Sequence, residues 1–196
     1  MDIWQGQRVR LRGVEPRDAD VFFNWRDSDL GRFANFVEFP HSLEATRKHF
    51  EKMATAEPKE DAFDFIIENE AGEVVGIINS HTCDRRVGSF MYGLAIGTEH
   101  RRQGYASEAI RLLLRYFFEE LRYQKVTVNI YSNNDASQCL HEQLGFTPEG
   151  RVRRAVFTLG EHFDELYYGM TVEEWREKEN GELRIANSES ANKRPT

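Results

Sequence analysis

Residues 89–131 constrain the fold of this chain more than any other stretch. "SFMYGLAIG" is apolar and β-prone, "IRLLLRYFFEEL" is apolar at helical spacing, and "KVTVNIY" alternates with Val126, Val128 and Ile130 on one face. Strand, helix and strand in that order form a crossover unit, which demands a layered α/β arrangement. Between the first strand and the helix lies "HRRQGYASEA", residues 100–109, which is polar, basic and holds Gly104. A helix start leaves backbone N–H groups unpaired beneath a positive dipole end, and glycine lets a ligand approach the backbone closely. Arg101, Arg102, Gln103, Gly104, Tyr105 and Ala106 therefore form a candidate anion cradle. A basic loop that merely caps a helix has the same chemistry, so the loop alone leaves both readings open.

The flanking segments complete the pattern. "QRVRLRGV" reads as a first strand ending near Arg12, and Pro16 opens a helix with Val21, Phe22 and Trp25 on one face. Ser42 caps a second helix, "LEATRKHFEKMA", with Leu43, Thr46, Phe50 and Met53 together. "AFDFIIE" and "VVGIINSH" form a hairpin across "NEAGE", and "SFMYGLAIG" follows the turn "CDRRVG". "NNDASQCLHEQLG" runs from an Asn cap to a terminal Gly145. "RVRRAVFT" and "HFDELYYGM" make a last hairpin, and "TVEEWREKE" reads as a closing helix. The expected unit is a single domain over residues 1–176. Residues 177–196 form a polar tail expected to be disordered.

Composition narrows the function classes. Hydrophobic residues at 40% and charged residues at 30% describe an ordinary globular protein. A net charge of -7 argues against a general basic surface for nucleic acid and suits a cationic partner. No apolar run reaches membrane-spanning length, and the N-terminus lacks a signal core. Two cysteines imply no disulfide framework, so a cytoplasmic location is expected. His81 and Cys83 offer too few ligands for zinc, and no metal is expected.

Two motifs carry a resemblance. Arg101-x-x-Gly104-x-Ala106, after a strand and opening a helix, resembles the R/Q-x-x-G-x-G/A loop of the GNAT-superfamily N-acetyltransferases. Downstream, "NDASQCLHEQLGF" resembles that family's N-x-x-A-x-x-x-Y-x-K-x-G-F helix, with Asn134, Ser137, Leu144, Gly145 and Phe146 matching or close. The element order is similar from Arg8 to Met170. The last hairpin is similar to those of the ribosomal-protein N-terminal and the spermidine acetyltransferases, through Gly160 and Asp164. The resemblance implies a mixed, mostly antiparallel sheet with helices on both faces. It also implies binding of acetyl-CoA and transfer of its acetyl group to a primary amine of a polyamine or a peptide N-terminus. In such a fold the strand ending near Ile96 splays from "KVTVNIY". Pantetheine then pairs with the backbone around Leu94, Ala95 and Ile96, and the pyrophosphate rests on residues 101–106. Asn134 and Ser137 would lie beside the cofactor. A homodimer is compatible with the resemblance, and no motif fixes it.

One position departs from the family pattern. Where the helix motif has its tyrosine general acid, this chain has His141, which is the candidate acid in its place. Base candidates are Tyr92, Glu38, His41, Asp64, Glu68 and His81; Met91 stands where some relatives carry a glutamate. The resemblance also places the acceptor wall at the aromatic connection containing Phe33, Phe36, Glu38 and Phe39, whose aromatic faces and carboxylate suit a cation. Two other classes stay open at this level: a non-catalytic acyl-CoA-binding or sensory domain, and an interaction module keeping only the fold.

Overall fold

The computed structural model describes residues 2–25, 39–57 and 59–181. Seven strands form one sheet in the order β1-β2-β3-β4-β5-β7-β6. They are β1 (Val9–Gly13), β2 (Asp64–Asn69), β3 (Val74–Asp84), β4 (Ser89–Ile96), β5 (Lys125–Tyr131), β6 (Thr147–Thr158) and β7 (Glu161–Thr171). Every pairing is antiparallel except β4 with β5, the pair joined by the crossover. The helices are α1 (Ala19–Asn24), α2 (Leu43–Ala54), α3 (Tyr105–Arg115), α4 (Asp135–Leu144) and α5 (172–181).

Local chemistry explains the boundaries. The Ser42 hydroxyl accepts the Ala45 N–H at 3.2 Å, so α2 starts where its cap residue dictates. Pro16 opens a short 3-10 turn, Pro16–Asp18, ahead of α1. The Asn134 side chain caps α4, and Gly145 ends it at φ 96, a left-handed value that glycine takes at little cost. α3 is shorter than its apolar run. After Arg115 the chain widens into a π-turn over Tyr116–Glu120 that buries both Phe117 and Phe118, and Phe117 stacks on Phe90 at 3.9 Å. α5 continues to residue 181, five residues beyond the expected domain end, and Glu179 is ion-paired to Arg111 of α3. Residues 182–196 lie outside the described ones.

Two cores sit on opposite faces of the sheet. One joins α3, α4 and α5 to Phe90, Tyr92, Ile96, Val126, Val128 and Ile130. Fully burying each large apolar side chain contributes about 1.5–3 kcal/mol. α3 supplies Ile110, Leu112, Leu113 and Leu114 to this core, so it is a rigid platform for the turn that precedes it. The second, smaller core packs Ala19 and Phe50 from α1 and α2 on Ile66. Among the described residues no helix is long and apolar enough to cross a membrane.

Candidate active site

The parallel pairing of β4 with β5 lasts three residues. Ser89, Phe90 and Met91 pair with Lys125, Val126 and Thr127, and beyond Met91 the two strands part. The sheet therefore opens in a V whose arms are Tyr92–Ile96 and Val128–Tyr131. The closed end is held firmly. The Gly88 carbonyl accepts the N–H groups of both Gln124, at 2.7 Å, and Lys125, at 3.1 Å. Asp61, buried beneath, takes two N–H groups of Arg85 at 2.6 and 2.5 Å and the Tyr123 hydroxyl at 2.8 Å. The Arg85 bonds hold this carboxyl below its usual range, so Asp61 stays an anion that ties three segments together.

On the β4 arm, alternate residues serve β3 and the V. The Gly97 N–H reaches the Val75 carbonyl at 3.0 Å, and the Gly93 N–H reaches Asn79 Oδ1 at 2.9 Å. By the two-residue period of an antiparallel ladder, Ala95 also turns its backbone groups to β3. Leu94 and Ile96 then direct theirs into the V, where the Ile96 carbonyl accepts Arg101 Nε at 3.3 Å. Of the three residues expected to offer backbone groups to a ligand, Ala95 thus does not. Gly93 and Gly97 also have internal reasons to be glycine. A Cβ at Gly97 would come within 2.7 Å of the Trp25 indole, and one at Gly93 within 2.8 Å of Asn79 Oδ1.

The turn after β4 ends at the V. Arg102 and Gly104 both adopt positive φ, 60 and 84, which coils the chain tightly before α3. Gly104 is the helix cap and carries no capping side chain. The first helical bond runs from the Glu108 N–H to the Gly104 carbonyl, so Tyr105, Ala106 and Ser107 N–H groups precede any intrahelical acceptor. Two residues that no local motif signals complete this turn. Arg8 donates to the Gln103 carbonyl at 2.9 Å and brings its guanidinium beside Gly104. Glu108 accepts the N–H groups of Gln7, Arg8 and Val9 at 2.5, 2.8 and 3.2 Å, which holds the segment bearing Arg8 against the first turn of α3.

His141 and Tyr92 meet on the α3–α4 face at the apex. The Tyr92 hydroxyl lies 2.8 Å from His141 Nε2, and His141 Nδ1 lies 2.7 Å from the Ser137 carbonyl. A carbonyl only accepts, so Nδ1 carries the proton and Nε2 accepts from Tyr92. Both side chains are about 5% exposed or less. Burial lowers the His141 pKa and outweighs the opposing Ser137 bond; burial raises that of Tyr92. His141 is thus a neutral buried ring, not a half-exposed helix residue, and neither nitrogen holds a proton free to give away. The Asn134 side-chain oxygen accepts the Ser137 N–H at 3.2 Å and serves as the helix cap.

The base candidates separate clearly. Glu38, with Phe33 and Phe36, lies outside the described residues, and Phe39 is 92% exposed. Burial pushes Glu68 up, but bonds from Arg12 and Arg10 more than reverse it, leaving a carboxylate neutralised by two guanidinium groups. Asp64 is exposed, and His41 Nδ1 lies 3.4 Å from the Phe39 carbonyl with its ring edge-on to Phe23. His81 pairs with Met91 at the apex level, on the face opposite His141. Burial lowers its pKa, so the ring is neutral at neutral pH, with Nδ1 3.0 Å from the Thr82 hydroxyl.

Comparison with known proteins bears on this geometry. Residues 8–147 match the family model for the acetyltransferase (GNAT) domain. The chain is 39% identical over 172 residues to the SPbeta prophage-derived uncharacterized N-acetyltransferase YokL of Bacillus subtilis strain 168, covering 88% of this chain and 94% of that protein. Its fold is similar to the spermidine N-acetyltransferase of Vibrio cholerae, solved with CoA and spermine, at a TM-score of 0.75 and 19% identity. That match covers 87% of this chain and 99% of the other. A GCN5-related N-acetyltransferase of Brucella melitensis superposes at a TM-score of 0.76 with 21% identity, over 90% of this chain and 81% of its own.

Proposed function

The chain belongs to the GNAT acetyltransferase family and is an acyl-CoA-dependent N-acetyltransferase, and on that premise we propose how its residues divide the work. Residues 101–106, with Arg8, hold the pyrophosphate of acetyl-CoA over the start of α3. The pantetheine arm lies along β4 and takes the place of the missing neighbour strand, pairing with the backbone of Leu94 and Ile96. Arg101 releases the Ile96 carbonyl to it. The opening lets the thioester reach the opposite face of the sheet, where the acceptor waits. The observation that carries this reading is the parting of β4 from β5 after Met91 and Thr127, directly beside an uncapped, basic helix start.

The reaction is a direct transfer. The amine nitrogen bonds to the acetyl carbon, the carbon–sulfur bond breaks, and CoA leaves as a thiolate. The nitrogen must shed a proton as its new bond forms. His81 takes it through a water, with Nδ1–H donating to Thr82 so that Nε2 is free. A thiol with an ordinary pKa near 8.5 is a fair leaving group at neutral pH, so solvent protonates the thiolate without a dedicated acid. Tyr92 and His141 act as a positioning pair that pins α4 to β4 at the apex and fixes the width of the V. The acceptor is a primary amine on a cationic molecule, a polyamine or a peptide N-terminus, and catalysis takes place in the cytoplasm.

Two measurements test this. Calorimetric titration with CoA tests the donor site, and absence of binding ends the donor reading. Thiol release from acetyl-CoA across polyamines, N-terminal peptides and aminoglycosides tests transfer. If no amine raises release above background hydrolysis, a non-catalytic acyl-CoA-binding domain becomes the better description.

A further inference from the structure

Several carboxylates in and beside the sheet are matched by guanidinium groups: Asp18 and Glu68 by Arg12, Asp61 by Arg85, Asp164 by Arg151. Glu165 is not. It projects from β7 directly opposite Tyr131 of β5, next to the pair Asn129 and Tyr167. These four side chains form a square on one face. Asn129 Nδ2 donates to Glu165 Oε1 at 2.8 Å, and the Tyr167 hydroxyl donates to Oε2 at 2.8 Å. Both donors are neutral, and among the described residues no lysine, arginine or histidine lies within ion-pair distance of this carboxylate. A carboxylate has about four lone-pair sites, so roughly two remain unfilled.

The position of the square is as telling as its chemistry. Thr127, Asn129 and Tyr131 share the face of Met91, which is the face of His81 and opposite to α3 and α4. Tyr131 is 7% exposed yet belongs to neither apolar core. Burial, and then the neighbouring Glu165 charge, raise its phenol; the bond to Glu165, and then burial, raise that of Tyr167. Both phenols stay protonated at neutral pH, so the carboxylate is the only charge in the square. Two aromatic rings beside a lone carboxylate are suited to a cation rather than to an anion or an apolar group.

We infer that Glu165, framed by Tyr131, Tyr167 and Asn129, binds a second cationic group of the acceptor, apart from the nitrogen that is acetylated. This rests on the acceptor approaching the V from that face, as proposed above. Glu165 lies four residues along the strands from the Met91–Thr127 apex and about one and a half strand spacings to the side. With rises near 3.4 Å and spacings near 4.8 Å, that is about 15 Å between backbones, part of which the glutamate side chain itself spans. The site therefore selects acceptors whose second charge stands several bonds from the reacting amine. A polyamine and a peptide N-terminus followed by a basic side chain both supply that chemistry.

The test uses acceptors of matched length that differ by one charge. One pair is 1,8-diaminooctane and 1-aminooctane, matched in length to spermidine. The other is a peptide with lysine or norleucine in second position. The kcat/KM for thiol release is measured for the native protein, Glu165→Gln and Tyr167→Phe. The native protein should prefer the doubly charged member by about tenfold to a hundredfold, the range expected for a hydrogen-bonded charged group. The pair showing the preference identifies the source of the cation. Glu165→Gln should bring the ratio close to one, and Tyr167→Phe, which removes a donor that aims the carboxylate, should lower it in part. Equal use of both members by the native protein, or a preference that survives Glu165→Gln, overturns the inference. A second readout is independent of turnover: spermidine is titrated into CoA-loaded native and Glu165→Gln protein by calorimetry. If every amine is silent in thiol release, the transfer reading fails by itself, and the titration still decides this site. Affinity at least about tenfold weaker in the variant supports it, and equal affinity overturns it.

Discussion

At the residue scale, Tyr92 and His141 each answer a need created by burying the other. A buried hydroxyl or imidazole left without its partner costs about 1–3 kcal/mol, whereas replacing both by apolar groups of similar shape is close to neutral. Tyr92→Phe and His141→Leu should therefore each lower unfolding free energy by about 1–3 kcal/mol, with the double variant well short of the sum. Denaturant unfolding of all four proteins measures this. If the pair is positional, His141→Leu should lower kcat without moving the basic limb of the rate profile, whereas loss of a general acid would shift that limb. The same burial sets a pH dependence. His141 and His81 have folded pKa values below their unfolded value of about 6.5. As pH falls through 6.5 the unfolded rings bind protons that the folded rings refuse, so stability falls with pH until the lowered folded values are reached. Asp61 and Glu68, also depressed, add a further loss at more acid pH. Thermal melting between pH 7.5 and 5 should show Tm decreasing, with a smaller slope in the Tyr92→Phe/His141→Leu double variant. His141 was visible in the sequence as a departure from a motif; its burial and its bond to Tyr92 were not. That bond spans 49 positions and exists only once α4 is folded over β4.

At the element scale, sequence and structure agree best where the determinants are local. Ser42 starts α2, Asn134 and Gly145 bound α4, and the alternation of "KVTVNIY" gives β5 from Lys125 to Tyr131. The turn before α3 was legible for the same reason, since its glycine, arginines and helix start are contiguous. Arg8 and Glu108 were not, because about 100 positions separate the partners and only the sheet brings β1 alongside α3. Glu165 escaped likewise: its square is made by cross-strand register, which no single strand reveals. Glu108 yields a prediction at this scale. Glu108→Ala frees three backbone N–H groups and removes a negative charge from the helix start. The local charge change alone would favour an anion. The loss of Arg8 from its place opposes that, and a phosphate contact made by a held guanidinium contributes more than a screened dipole term. CoA affinity should therefore fall by several-fold, about 1 kcal/mol, and amide exchange at residues 7–9 should accelerate. Exchange without a change in CoA affinity would limit Glu108 to a purely structural role.

At the scale of the whole molecule, the sheet consists of a four-strand and a three-strand part joined by three rungs of parallel pairing. Side-chain packing from α3, the Gly88 carbonyl, the Asp61 clamp and the Tyr92–His141 bond add to the connection. A donor lying along β4 would add backbone bonds across the opening. Any ligand that binds only the folded state stabilises it, by about 2.7 kcal/mol at a hundred times its Kd. Saturating CoA should therefore raise Tm, and amide exchange should slow at Leu94 and Ile96 more than at Ala95, which already faces β3. Uniform slowing along β4 would count against the arm seating there.

The brevity of that junction carries a consequence for the protein's persistence. Where opening and reclosing are fast, proteolysis tracks the population of opened molecules, and a donor seated along β4 as proposed would shrink that population. An enzyme built on so short a zipper would then be guarded by its own cosubstrate. Its lifetime in the presence of a protease should lengthen as acetyl-CoA is added, which a timed digestion at several concentrations measures.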